Sequence, residues 1–115
     1  MPDAQPIVRT SLLSAALGAS VAVERVQVTR IDLGPLQATG RHLHPCPVVG
    51  YVVAGQIRFQ IEGEAAQMLG AGDAFFEPAN TTILHFDNVS DGEPARFIAS
   101  YLLPAGEERV IVALD

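Results

Sequence analysis

The chain has 115 residues, of which 49% are hydrophobic and 17% charged. This length and composition predict one compact domain with a single modest core and exclude a disordered chain. A formal net charge of −6 without any cluster of basic residues excludes nucleic acid and anionic membranes as expected partners. The single cysteine, Cys46, excludes an intrachain disulfide and suits a reducing compartment, so we expect a cytoplasmic protein.

Short runs of β-branched and aromatic residues follow one another from residue 21 onward, separated by Gly, Pro, Asn or Asp. This rhythm predicts an all-β, antiparallel sandwich or barrel. The predicted strands span residues 21–33, 37–43, 48–54, 56–62, 65–69, 74–76, 81–88 and 95–103, with a tail strand at 109–114. We expect one domain, with an N-terminal arm (1–20), a barrel (21–103) and a C-terminal tail (104–115).

Two histidines, His42 and His44, lie at the end of the second predicted strand. Alternate residues of a strand project to one face, about 6.5 to 7 Å apart along the backbone, so both imidazoles can reach one ion. Neutral imidazole binds first-row divalent ions, which makes the pair a candidate metal site. The alternative is two polar residues on a solvated strand face.

The segment GRHLHPCPVVGYVVAG around this pair resembles the first motif of the cupin superfamily. That motif reads His-x-His, three or four residues, Glu, six residues, Gly. In this chain residues 45–47 fill the first gap, Val48 stands at the Glu position, and Gly55 follows after six more residues.

The second cupin motif, Gly, five residues, Pro-x-Gly, two residues, His, is matched in part from Gly72 through Pro78, but Ile83 stands at the His position. The resemblance covers roughly residues 26–103 and implies a double-stranded β-helix, the jelly-roll cupin barrel. In cupins two His, one Glu and a third His bind Fe, Mn, Ni, Cu or Zn. This chain matches only the first two ligand positions, so the resemblance implies a divalent transition metal with an incomplete ligand set.

His85 is the candidate third ligand, because it lies two residues beyond Ile83 and shares its inward face in a regular strand. A bulge near residues 80–82 would reduce its offset along the strand. The alternative for His85 is a buried, hydrogen-bonded histidine.

Val48 and Ile83 replace two polar family positions and therefore predict an apolar pocket with one polar end. Gly50 and Val52 share the parity of Val48 and complete the predicted lining. Gly50 has two interpretations, either as room for a small ligand beside the histidines or as a β-bulge.

Cys46 lies between two prolines at the predicted barrel mouth, where it is either a metal ligand or reactive thiol, or a small turn residue, which we favour. Arg41, Glu77 and Asp87 flank the site and could orient a substrate or act as a base. Neighbours of an inward residue usually point outward, so we expect these three to be solvated surface charges.

Two functions remain open from the sequence. One is a metal-dependent enzyme of the oxygenase or isomerase type acting on a small organic molecule. The other is a non-catalytic cupin that binds a small ligand in an apolar pocket. The resemblance also implies a homodimer, since small cupins commonly pair through their sheets and exchanged N-terminal strands, and the partly apolar residues 7–13 suit such an exchange.

Overall fold

The structure is a computed structural model that describes residues 5–18 and 21–115. In that part of the chain there are nine strands and no helix. The strands are β1 (Arg25–Leu33), β2 (His42–Leu43), β3 (Val48–Ala54), β4 (Gln56–Ile61), β5 (Gln67–Gly70), β6 (Ala74–Glu77), β7 (Ile83–Asn88), β8 (Ala95–Leu103) and β9 (Val112–Ala113).

These strands form two sheets in which each pairing is antiparallel. Sheet 1 has the order β1-β8-β3-β6, and sheet 2 has the order β5-β4-β7-β2-β9. The chain passes between the sheets several times, so strands that are neighbours in a sheet are mostly distant in sequence. The predicted all-β, antiparallel jelly roll is therefore confirmed.

The core lies between the sheets and follows the alternation of the strands. In β8 every second residue from Ala95 to Leu103 is buried, and the residues between them are more exposed. Four phenylalanine rings fill the centre, with neighbouring ring centroids 4.6 to 6.0 Å apart; they are Phe59, Phe75, Phe86 and Phe97. This aromatic cluster contributes the bulkiest side chains at the centre of the core.

The predicted bounds of β3 and β8 are confirmed, whereas the second predicted strand is much shorter than expected. Residues 37–43 contribute only β2 and an isolated bridge between Ala38 and Asp87. Leu36 and Gly40 have φ values of 56° and 78°, which interrupt an extended backbone. The tail supplies β9, which pairs with β2, so the tail belongs to sheet 2 beside the histidines.

Residues 5–18 form no strand, and Ile7, Val8 and Leu12 in this segment are exposed. The rest of the predicted arm, residues 1–4 and 19–20, lies outside the described residues. On the outer face of sheet 1, Val26 and Val28 are also exposed. Over the described residues, we find no helix with the length and hydrophobicity needed to cross a bilayer.

Candidate metal centre

His42 and His44 point into the barrel from one face of β2 and the residue that follows it. Their side chains are only 4% and 6% exposed. His42 Nδ1 donates to the Gly40 carbonyl at 2.8 Å, and His44 Nδ1 donates to the Val110 carbonyl at 2.6 Å. A carbonyl can only accept, so Nδ1 carries the hydrogen in both rings and the two Nε2 atoms face the interior. Backbone carbonyls commonly orient metal-binding histidines in this way.

Glu77 completes a group with these two histidines, although it was expected at the surface. Its Oε2 lies 2.9 Å from His44 Nε2 and 3.8 Å from His42 Nε2, and the residue is 3% exposed. β6 extends to Glu77, so this carboxylate shares the inward face of Phe75. The prediction of a solvated Glu77 is therefore wrong. The parity shared with Phe75 is the sequence signal that could have shown it.

The register of sheet 1 explains how a carboxylate reaches the site although the Glu position of the first cupin motif is occupied by Val48. Val48, at the motif position, pairs directly with Glu77 across β3 and β6. Directly opposed residues in an antiparallel pair project to the same face with their Cβ atoms about 5 Å apart. The carboxylate is thus supplied by the cross-strand partner of the position where the motif predicts it.

The three buried groups favour a shared positive charge, either a proton or a metal ion. Burial disfavours the ionised Glu77, but hydrogen bonding and charge from His42 and His44, when these rings are protonated, outweigh it and lower the pKa of Glu77. Burial also disfavours the His42 imidazolium, but Glu77 and the Gly40 carbonyl outweigh it and raise the pKa of His42. With the hydrogen of each neutral ring on Nδ1, the fully buried Glu77 Oε2 has no hydrogen-bond donor within the described chain, even though His44 Nε2 is close. Three lone-pair atoms facing one another need a proton or a metal ion between them.

The separations between Glu77 and the two histidines suit a shared metal ion. All three lie within 4.8 Å of one another. Ligand atoms about 2.1 Å from a shared ion lie roughly 3 to 4.2 Å apart, depending on the angle between them. Of the two Glu77 distances, 3.8 Å lies within this range and 2.9 Å lies at its lower edge. His42, His44 and Glu77 could therefore hold a metal ion.

His85 does not belong to this group. The register between β4 and β7 shifts by one residue, since Gln60 pairs with His85 while Ile61 pairs with Ile83. The extra residue reverses the parity, so Ile83 faces the core and His85 lies on the outer face. There His85 Nδ1 contacts Asp87 Oδ2 at 2.8 Å, and its side chain is 37% exposed. The bulge lies at Leu84 and not near residues 80–82 as expected, and it turns His85 away from the other two histidines.

The other flanking residues lie outside the group. Cys46 is 1% exposed within the core, and burial raises the pKa of its thiol, which disfavours the reactive thiolate. Arg41 is half-exposed and lies 3.8 Å from an oxygen of Asp115. Asp87 lies on the outer face beside His85. These positions agree with a structural Cys46 and a solvated Arg41.

A cavity of about 110 Å³ lies beside the three donor atoms. Val48 lines it as expected, while Val52 and Ile83 are fully buried core residues outside its lining. A Cβ on Gly50 would lie 2.0 Å from Cζ of Phe75, so the aromatic ring fills the space that we expected a ligand to use. The register shift in β3 falls between Val52 and Ala54, so Gly50 does not mark a bulge either.

Tyr101 also lines the cavity, although its sequence context indicated only core packing. Its ring centroid is 5.6 Å from that of His44, and it opposes Val48 across β3 and β8. Burial and the Glu77 charge raise the pKa of its hydroxyl. Tyr101 therefore stays protonated at neutral pH, as a hydrogen-bond donor requires.

Solved structures with the same fold include several enzymes. A DMSP lyase from Ruegeria pomeroyi superposes with a TM-score of 0.65 at 20% identity, over 76% of this chain and 42% of that one. An oxalate oxidase in complex with glycolate gives 0.65 at 24% identity, over 77% and 46%. A cupin-like protein from Thermotoga maritima gives 0.62 at 25% identity, over 77% and 64%. This chain thus spans less than half the length of the first two.

No curated protein matches the chain in sequence. A family model described as "Cupin domain" matches residues 29–101. This match covers more than half of the chain and includes both partial motifs, β3 and most of β8. The protein therefore belongs to the cupin domain family.

Proposed function

We propose that this protein is a metal-dependent cupin enzyme that acts on a small organic molecule. The observation that carries the proposal is the convergence of His42 Nε2, His44 Nε2 and Glu77 Oε2 on one buried point beside a cavity. The similar DMSP lyase and oxalate oxidase structures support an enzymatic role by fold analogy.

Two neutral imidazoles and one carboxylate are a donor set that suits first-row divalent transition-metal ions, including Fe, Mn, Ni, Cu and Zn. Three protein ligands leave coordination positions open. When bound, such an ion supplies a Lewis acid or an oxygen-binding centre at the polar end of the cavity.

The chain's own residues would prepare the substrate at this centre. The carbonyls of Gly40 and Val110 fix the ring orientations of the two histidines. The Tyr101 hydroxyl, kept protonated by burial, would donate a hydrogen bond to a substrate oxygen. The apolar walls around Val48 exclude water and strengthen these polar interactions.

Metal content measured after gel filtration tests the ligand set. We expect about one divalent ion per chain in the unchanged protein. His42→Ala, His44→Ala and Glu77→Gln should each lower metal affinity by at least the roughly 10- to 100-fold seen for outer-shell changes. His85→Ala and Glu64→Gln are matched controls outside the group and should leave metal content unchanged. Equal metal content in all five variants would contradict the site.

Turnover tests the enzymatic part of the proposal. Metal-loaded protein is incubated with small keto-enols, hydroxy acids and phenols, with conversion followed by proton NMR and oxygen uptake by electrode. We expect conversion that His85→Ala retains and His44→Ala loses. Metal binding without conversion of any compound would favour the second candidate, a non-catalytic ligand-binding cupin, which the largely apolar cavity lining supports.

A further inference from the structure

The cavity beside the candidate metal centre is polar at one end only. His42, His44 and Glu77 lie at this end. The other two polar lining residues belong to the same end, since Thr39 Oγ1 is 3.5 Å from His42 Nδ1 and the Tyr101 ring packs near His44.

The rest of the lining is hydrocarbon, contributed mainly by Ile31, Phe75, Phe86, Phe97 and Ala99. Ala99 precedes Tyr101 by two residues and Phe97 precedes it by four on the same face of β8. Successive inward residues of a strand are about 6.6 Å apart, so this wall leads roughly 13 Å away from the polar end. A group bound deep in the cavity meets no hydrogen-bonding side chain.

The charges around the cavity exclude a second ionic contact. All seven basic residues of the chain are arginines, all lie within the described residues, and none lines the cavity. Arg30 and Arg96 contact Asp32 instead, and Arg109 contacts Glu107, all at the surface. A ligand with a second anionic group would bury that charge without a partner, which is strongly unfavourable.

The cavity is also small. Its volume of about 110 Å³ is below that of the engineered apolar cavity of about 150 Å³ that holds benzene. A molecule with roughly four to six non-hydrogen atoms fits such a volume. Ile111, which is 47% exposed, borders the cavity and marks its side toward solvent.

We infer that the ligand is a small molecule with one metal-ligating oxygen function and an uncharged, apolar remainder of roughly three to five carbons. The inference of a metal-ligating end depends on the proposed function, whereas the inference of an apolar remainder depends only on the residues that line the cavity. Molecules that are polar at both ends, like the glycolate bound to the similar oxalate oxidase, match this cavity poorly.

The test compares two ligands of nearly equal shape, butyrate and 3-hydroxypropionate, in which a hydroxyl replaces the terminal methyl group. Calorimetric titration into metal-loaded protein should give a Kd for butyrate at least tenfold lower, since the buried hydroxyl finds no partner. Equal affinities, or tighter binding of 3-hydroxypropionate, would overturn the inference. Metal content is measured on the same samples, so that a protein without metal contradicts the proposed function separately.

A cavity-filling variant tests whether butyrate binds in this cavity. Ala99→Leu places three more carbons into the cavity and should abolish butyrate binding while metal content is retained. Ala65→Leu adds the same atoms at an exposed position and should bind butyrate normally. Unchanged butyrate binding by a folded, metal-loaded Ala99→Leu protein would overturn the inference. If Ala99→Leu does not fold, the ligand comparison on the unchanged protein still decides the question.

Discussion

Replacing Gly50 with alanine tests how tightly the aromatic cluster packs against the site. The added Cβ would lie 2.0, 2.4 and 2.5 Å from three ring atoms of Phe75, and ordinary contact begins near 3.4 Å. The ring must therefore retreat by more than an ångström. Phe59, Phe86 and Phe97 surround it at centroid distances of 5.9, 4.8 and 6.0 Å, so the ring cannot move without displacing other side chains or entering the cavity.

Overpacking of this kind destabilises a core by about 1 to 3 kcal/mol. At about 4 °C per kcal/mol for a domain of this size, Gly50→Ala should lower the melting temperature by roughly 4 to 12 °C. Gly92→Ala is the matched control, because nothing lies within 4 Å of its added Cβ. That control should change stability by less than about 0.5 kcal/mol.

Calorimetric melting of four proteins completes this test: the unchanged chain, Gly50→Ala, Phe75→Leu and the double variant. The shorter leucine leaves room for the new methyl group, so the double variant should be more stable than the sum of the single effects predicts. Equal melting temperatures for Gly50→Ala and Gly92→Ala, or strict additivity in the cycle, would refute the packing argument.

The site and the fold give further expectations. The double variant Val48→Glu with Glu77→Val moves the carboxylate back to the motif position. It should restore much of the metal affinity that Glu77→Val alone loses, as measured by metal titration. No recovery of affinity would contradict the cross-strand argument. The raised pKa of His42 gives stability that is lost as pH rises through it, and the lowered pKa of Glu77 gives stability lost as pH falls through it. Metal-free protein should therefore melt highest between about pH 4.5 and 6.5, the ordinary pKa values of the two groups, and a flat pH profile in chelator would contradict this. Asn88→Ala removes part-buried hydrogen bonds to the Gly34 and Glu93 carbonyls and should destabilise the chain by about 2 to 4 kcal/mol in urea unfolding, on the basis of two unsatisfied groups. The homodimer remains a prediction, supported by the exposed valines of β1 and the apolar arm, and light scattering that gives the mass of one chain at micromolar concentration would exclude it.

The fold could be predicted from the sequence because local patterns and motif spacing agreed. The alternation in β8 and the turn glycine at Gly55 set strand bounds that the structure reproduces. The short β2 was partly predictable from residue type, since Gly40 inside the predicted strand readily adopts the positive φ that interrupts it. The left-handed Leu36 just before that strand was not predictable, because leucine has no preference for this conformation.

The candidate site was only half predictable for a different reason. His42 and His44 are local neighbours, and their shared face follows from the strand period. Parity with Phe75 could have shown that Glu77 points inward. Its meeting with the two histidines depends on which strands pair and in which register, and neither is visible in a single sequence. The prediction that His85 is a ligand was wrong because β7 contains one inserted residue, and such a bulge reverses the direction of every side chain beyond it.

The two halves of the candidate site belong to different layers of the barrel. His42 lies in β2 of sheet 2, and Glu77 lies in β6 of sheet 1. An ion held by both would cross-link the sheets in a chain whose single cysteine cannot form a disulfide within it. The two sheets could then separate only after the ion dissociates. Amide hydrogen exchange in β2 and β6 should therefore slow together as the free metal concentration rises.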